Sequence, residues 1–184
     1  VQGIIVQLPV DNPEQTDELL ESVDKEKDVD GLCRNAIFDA ATPIAINWLL
    51  AGYGIELKGK KIAIVGRGRL VGAPLERMWQ KSGVDTTVFE KGDDLGELIN
   101  YDVIVSATGV PGLITSQMIK PKAVVIDAGT ASENGRIVGD TAEEVRQRND
   151  ITITPKKGGV GPLTVAALFD NVINACLRLP AKTN

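Results

Sequence analysis

Lys61-Ile62-Ala63-Ile64-Val65-Gly66-Arg67-Gly68-Arg69-Leu70-Val71-Gly72-Ala73-Pro74 is the stretch on which the fold turns. Ile62–Val65 is a short apolar run rich in β-branched residues, which predicts a strand buried on both faces. Three glycines follow with G-x-G-x-x-x-G spacing, and a helical pattern then covers Leu70–Lys81. A strand that enters a helix through a glycine turn forms an anion site. Gly66 permits the tight turn and Gly68 lets a pyrophosphate approach the backbone. The helix N-terminus adds unpaired N–H groups and the positive end of its dipole. The third glycine, Gly72, falls one residue later than in the usual G-x-G-x-x-G, so an ordinary tight strand–helix turn fits the pattern alone as well.

The pattern repeats on the C-terminal side. Strands are expected at Thr86–Phe89, Val103–Ser106, Ala123–Asp127 and Ile151–Ile153, with a brief extended piece at Ile137-Val138. Helical segments are expected at Leu95–Ile99, Ser116–Ile119, Ala142–Arg148 and Pro162–Leu179, the last with Pro162 at its first position. Strands alternating with helices imply an α/β protein with a Rossmann-like parallel sheet and helices on both faces. On the N-terminal side, Val1–Leu8 reads as a strand ended by Pro9. Asp11-Asn12-Pro13 reads as a helix start, and Ala40-Ala41-Thr42-Pro43 as another with Thr42 as N-cap and Pro43 at N1. Lys25–Gly31 reads as a solvated charged loop and Pro180–Asn184 as a frayed tail. The chain starts at Val1 directly in an apolar run, and Val1–Val10 has no signal-peptide pattern. The expectation is that residues 1–41 are the end of an N-terminal α/β catalytic domain. Residues 42–160 would then be the dinucleotide domain, and 161–184 a closing helix returning to the first.

Composition bounds the function. The 184 residues are 43% hydrophobic and 24% charged, with net charge −5. That balance is expected of a soluble globular protein, and the acidic charge argues against nucleic acid as a partner. No apolar run approaches the roughly 20 residues a membrane span needs, so no membrane partner is expected. The chain has no histidine, which removes a Ser-His-Asp triad, a histidine general base and histidine metal ligands. Cys33 and Cys176 form no C-x-x-C pair. They read as lone buried thiols, without metal or disulfide, in keeping with a reducing cytoplasm.

The unusual residues gather where strands end, which is where open α/β sheets hold ligands. Glu90 ends the second strand of the central domain, 24 residues after Gly66. An acidic residue about 20 positions on accepts from the adenosine ribose in dinucleotide folds, though a surface charge is an equally ordinary use. Thr108-Gly109 and Gly129-Thr130 end the next two strands, where glycine lets a flat cofactor lie close. Lys156-Lys157-Gly158-Gly159-Val160-Gly161-Pro162 reads as a shaped, anion-facing loop before the last helix. Gln7 stands at the end of the first run, where a ligand contact and a satisfied interior amide are equal readings.

Five motifs in order resemble the bifunctional methylenetetrahydrofolate dehydrogenase/methenyltetrahydrofolate cyclohydrolase family. They are Val6-Gln7-Leu8-Pro9, Lys27-Asp28-Val29-Asp30-Gly31, Ala41-Thr42-Pro43, Val65–Pro74 and Gly158-Gly159-Val160-Gly161-Pro162-Leu163-Thr164. The resemblance implies oxidation of 5,10-methylenetetrahydrofolate with NADP, hydrolysis of the methenyl product to 10-formyltetrahydrofolate, and a two-domain homodimer with folate in the interdomain cleft. It places Gln7 and Asp30 on the catalytic positions, and Gln7, Leu8, Pro9, Asp30, Gly161 and Pro162 beside the substrate. It places Gly66, Arg67, Gly68, Arg69, Gly72, Glu90, Thr108, Gly109, Gly129 and Thr130 on the cofactor side.

Four departures shape the expectation. The family's catalytic lysine follows a tyrosine with Y-x-x-x-K spacing in a region that lies before Val1. Tyr53 and Tyr101 have no lysine four residues on. Gly68 stands where serine is usual, and Glu90-Lys91 where a His-Ser pair is common. Glu90 repels a 2′-phosphate while Arg67 and Arg69 attract one, so NADP is expected, with NAD as the rival. Lys156 and Lys157 replace a usual Val-Pro, and fit either an anion contact or a solvated pair. A nucleotide-binding fragment without turnover and a different NAD(P) dehydrogenase are the competing readings.

Overall fold

Five parallel strands form the frame of the computed structural model, which describes residues 1–133 and 136–178. They are β1 (Ile62–Val65), β2 (Thr87–Phe89), β3 (Val103–Ser106), β4 (Val124–Asp127) and β7 (Thr152–Ile153), in the spatial order β2-β1-β3-β4-β7. All four residues of β1 and of β3 are buried. Their side chains alternate between two cores. Ile62, Ile64, Val103, Val105 and Ile126 pack on one face against α2 (Ala41–Gly52), α3 (Gly72–Lys81) and the start of α5 (Val160–Arg178). Ala63, Val65, Ile104 and Val125 pack on the other against Leu98, Ile114, Ile119 and Val145, from two 3₁₀ segments, a bridging loop and α4 (Glu143–Arg146). The Rossmann-like sheet with both faces covered is thus as the alternating pattern predicts.

The chain leaves β1 toward β2 on one side and returns to β3 on the other. The crevice between the ends of β1 and β3 is therefore the switch point at which such sheets bind ligands.

Five local expectations need correction. Val1–Leu8 forms no strand: its one ladder contact is a parallel bridge from Ile4 to Asp28, and Val1, Gln2, Ile5 and Gln7 are exposed. An apolar, β-branched run has strand propensity, but a strand needs a neighbour along its length. Thr42 is not an N-cap. Ala40 takes the extended cap conformation and its carbonyl accepts from Ile44, so α2 starts at Ala41 with Pro43 third. Likewise α5 starts at Val160, and Pro162 is its third residue. Proline is tolerated there because the first-turn N–H groups have no intrahelical acceptor in any case. The Lys25–Gly31 run is solvated only at its start: Asp28, Val29 and Gly31 are buried, because the loop folds its second half onto α5. Finally, of the two thiols, Cys33 is buried as expected and Cys176, on the outer side of α5, is exposed. The extended piece at Ile137-Val138 is present as β6 (Arg136–Val138), in an antiparallel pair with β5 (Ala131–Glu133).

Other starts follow the sequence. Asn12 caps a 3₁₀ turn with Pro13 first, accepting from Glu14 N–H at 3.1 Å, and α1 (Thr16–Ser22) follows. The tail Pro180–Asn184 lies outside the described residues.

α5 is long and apolar enough to cross a membrane by length and composition. It packs along α2, and its carboxamide Asn171 is buried. Val165, Phe169, Ile173 and Leu177 form an exposed stripe along it. Such a stripe at i, i+4 spacing is one face of a helix that has its other face in a core.

Candidate functional site

The glycine turn after β1 is built by close approach. Gly66 has φ +92°, donates its N–H to Phe89 O at 2.8 Å, and leaves no room for a side chain, because a Cβ there would lie 2.8 Å from Ala107 O. Gly72 is more constrained. A Cβ on it would lie 2.9 Å from Gly66 C and nearer still to Gly66 O. The late third glycine is therefore what lets α3 begin against the turn. Gly68 differs: the nearest atom to a Cβ there is Ala107 O at 3.8 Å, ordinary contact distance. The serine that is usual at this position fits sterically, and Gly68→Ser is expected to shift unfolding free energy by less than about 0.5 kcal/mol. A larger loss in thermal or urea unfolding would contradict the open geometry.

The N-terminus of α3 has no side-chain cap. In the first turn Ala73 N–H donates to Gly68 O at 3.1 Å, Leu75 N–H donates to Val71 O at 2.9 Å and Pro74 has no N–H, so among the described residues Gly72 N–H is the first-turn donor left to face a phosphate behind the tight glycine turn. The neighbouring arginines are engaged rather than free. Arg67 pairs with Glu76, at 2.9 Å from NH2 and 3.0 Å from Nε, and Arg69 pairs with Asp17 of α1. Both pairs are partly exposed and hence weak, so a dianionic phosphate competes well for either guanidinium. Glu90 is exposed directly after Phe89, which pairs with Val65. It thus stands next to Gly66 at the strand ends.

Thr108, Gly109, Gly129 and Thr130 reach the same edge through β3 and β4, and a buried polar network that the sequence reading missed sets their positions. Asp140 is fully buried; its Oδ2 accepts from Ser106 Oγ at 2.6 Å and from Thr108 N–H at 2.7 Å. Its Oδ1 is buried without a partner among the described residues and lies where a Cβ on Gly129 would be. Asp127 ends β4 and collects five donors. Its Oδ1 accepts from Gly129 and Asp140 N–H, and its Oδ2 from Thr141 N–H, Thr141 Oγ1 and Arg146 NH2 at 2.5 Å. Arg146 also donates to Thr154 O at 2.9 Å. The available signal was acidic residues closing apolar runs, Asp127 after Val124–Ile126 and Asp140 after Ile137–Gly139. A carboxylate there needs donors, and a loop's N–H groups supply them.

The other side of the site is a cleft of about 230 Å³. Gln7 and Leu8 line it from the N-terminal segment, Asp30 from the following loop, Leu70 from the glycine turn, and Thr42 and Thr164 from α2 and α5. The structure thus brings Gln7, Leu8 and Asp30 together with the loop that carries the cofactor candidates. Pro9 follows a cis peptide bond just outside the lining, and Gly161 and Pro162 sit in the first turn of α5 without lining it. Burial, and then the charge of Asp28, push the Asp30 carboxyl above its ordinary range. Lys156 is held by Glu143 on α4, which draws that carboxyl below its ordinary range. A second hollow of about 430 Å³, lined by Lys60, Lys61, Asp85 and Glu97 among others, lies at the opposite ends of the strands, away from the glycine turns.

A parallel sheet with a glycine turn at its switch point and an uncapped helix behind it defines a dinucleotide-binding domain. The comparisons make that specific. Residues 40–179 match the tetrahydrofolate dehydrogenase/cyclohydrolase, NAD(P)-binding domain, and the chain belongs to that family. It is 40% identical to the bifunctional protein FolD of Hydrogenobaculum sp. (strain Y04AAS1), over 95% of this chain and 68% of that protein. Its structure is similar to that of the FolD methylenetetrahydrofolate dehydrogenase/cyclohydrolase of Campylobacter jejuni, with TM-score 0.88 and 37% identity, covering 97% of this chain and 68% of that one. The Trypanosoma brucei methylenetetrahydrofolate dehydrogenase-cyclohydrolase, solved with NADP and an inhibitor, gives TM-score 0.85 and 32% identity, covering 97% and 68%. The chain thus spans about two thirds of the length of these relatives.

Proposed function

We propose that the protein oxidises 5,10-methylenetetrahydrofolate to the methenyl form with NADP and hydrolyses that product to 10-formyltetrahydrofolate. The carrying observation is the single cleft in which Gln7 and Asp30 face Leu70 of the glycine turn. One substrate there meets a cofactor laid along the strand ends. Bound NADP would accept the hydride from the folate methylene carbon. The chain's own task is to orient two ring systems and exclude water, which needs no protein nucleophile because the folate nitrogens stabilise the cation. Gly66, Gly68 and the start of α3, with Arg67 and Arg69, would hold the phosphates. Gly72 would keep that turn closed, and Glu90 would meet the ribose. Thr108, Gly109, Gly129 and Thr130 would line the nicotinamide side. Asp30 would accept the pterin's amino and amide hydrogens, and Gln7 would assist at the reacting carbon. Leu8, Pro9, Gly161 and Pro162 would border the folate.

We also propose the wider setting: a cytoplasmic homodimer supplying one-carbon units to purine biosynthesis, with neither membrane nor nucleic acid as partner. Residues 1–41 would belong to a folate-side domain to which 161–184 returns. The packing of Val29 and Phe38 on Leu168, Val172 and Ala175 of α5 supports that. The alternative reading is binding of the nucleotide without turnover.

The test is direct. The purified protein should generate nicotinamide absorbance from methylenetetrahydrofolate and NADP. NADP binding without absorbance, with NAD equally inert, selects the alternative reading. Asp30→Ala should weaken tetrahydrofolate binding roughly 10- to 100-fold, as expected for a lost hydrogen bond to a charged group, with NADP affinity unchanged. Equal losses for both ligands would remove Asp30 from the substrate side.

A further inference from the structure

Asp30 reaches the cleft from a loop held by two buried polar side chains, and neither of them lines the cleft. Asp28 is 4% exposed. Its carboxylate accepts from the N–H groups of Gly31 at 3.1 Å, Leu32 at 2.9 Å and Cys33 at 2.7 Å. Those are the three peptides that follow Asp30. Asn171, also 4% exposed, reaches over from α5. Its amide donates to Val29 O at 2.9 Å and to Asp39 O at 3.0 Å. The residue before Asp30 and the returning strand of its loop are thereby fixed to one helix. Gly31 closes the turn with φ +70°, where a Cβ would lie 2.7 Å from Ala40 N. Val29, fully buried, packs into the α5 core beside Phe38 and Ala175. Every neighbour of Asp30 is thus held from behind, while its own carboxyl stands in the cleft.

We propose that Asp28 and Asn171 are positioning residues that hold the Asp30 carboxyl at the substrate, Asp28 by ordering the peptides after it and Asn171 by tying its loop to α5. This rests on the reading of Asp30 as the substrate's acceptor. Asp28 has a second effect, because its charge adds to burial in holding Asp30 above its ordinary range. Gln7, Thr42 and Thr164, which face Asp30 from the N-terminal segment, α2 and α5, are uncharged. The Cys33 thiol, beside Asp28, is itself pushed up by burial and by that carboxylate. Since a bound pterin needs the ionised carboxylate, binding falls as pH drops through a value above the ordinary carboxylate range.

The two supports separate experimentally. Asp28→Asn removes the charge and turns one of the two acceptor atoms into a donor that faces a main-chain N–H. The Asp30 titration, followed by carbon NMR of aspartate-labelled protein, should move down toward the ordinary range. The acid limb of tetrahydrofolate binding should move with it. Asn171→Leu, which removes both hydrogen bonds, should weaken tetrahydrofolate binding at least about tenfold, with the Asp30 titration and NADP affinity unchanged. Asn171→Ser, which serves one carbonyl and disturbs packing less, should fall between and keeps the test open if the leucine variant does not fold. An unmoved Asp30 titration in Asp28→Asn overturns Asp28's role. Unchanged tetrahydrofolate affinity in a folded Asn171 variant overturns Asn171's. If the unsubstituted protein binds no tetrahydrofolate, the functional reading fails, and the Asp30 titration still decides Asp28.

Discussion

Gly72→Ala should cost more stability than any other single methyl added to this chain's glycine turn. The new carbon would lie inside contact distance of Gly66 O, 2.9 Å from Gly66 C and 3.1 Å from Arg67 Cα. All three are backbone atoms, so no side chain can rotate away. Either α3 shifts off the turn or the turn opens. Shifting α3 would disturb Leu75 and Trp79, which are buried against β1 in one core. Overpacking of a tight site costs typically about 1–3 kcal/mol, and a clash with rigid backbone belongs at or above the top of that range. The expected result is a loss of at least about 3 kcal/mol in urea unfolding, with NADP affinity falling together with it. The contrast with Gly68→Ser, expected to be silent, makes the pair informative. If Gly72→Ala unfolds like the unsubstituted protein, close approach is not the reason for a glycine there.

Arg146→Ala is the second large expectation. Arg146 is the cation facing Asp127, whose side chain is 2% exposed. Removing one partner of a buried pair leaves a charge without compensation and costs about 3–5 kcal/mol. The guanidinium also donates to Thr154 O, so the end of β7 loses its tie to α4. Asp127 keeps donors from Gly129, Asp140 and Thr141, which places the loss toward the lower end. The reading is by chemical denaturation at neutral pH. Pairing Arg146→Ala with Asp127→Ala in a double-mutant cycle isolates the coupling. A coupling near zero would show that the main-chain donors alone hold the carboxylate.

The parts of the fold legible in the sequence are those where a local pattern determines the answer. β1 is apolar throughout, and β3 is apolar up to its last residue, Ser106, because both faces are covered, and four consecutive buried residues leave little ambiguity. The turns are legible because glycine at Gly66 and Gly109 supplies positive φ. Val1–Leu8 misleads because its composition resembles a buried strand while its pairing depends on what lies beside it. β5 escapes because Ala131-Ser132-Glu133 has no apolar alternation. The Asn134-Gly135 pair that follows is a known hairpin signal in sequence. The residues of the site divide in the same way. Gln7, Asp30 and the glycines stand in short motifs and were found. Asp127, Asp140 and Asn171 were not, because most of their partners lie far along the chain where no spacing rule connects them; Asp28 accepts only from N–H groups three to five residues on, and its charge in a run of charged residues reads as a solvated one.

α5 carries one more consequence. Its first turn joins the sheet's core through Val160 and Leu163, and its far half clamps Val29 and Phe38 through Leu168, Val172 and Ala175. A 19-residue helix is about 28 Å long and resists bending. It therefore acts as a strut that spans both walls of the cleft, with α2 lying alongside as a brace. The Asp30 loop and the glycine turn are thus both tied to one pair of helices packed along each other. A cleft tied in this way selects its ligands by their span, and admits two flat rings only when their combined thickness fits.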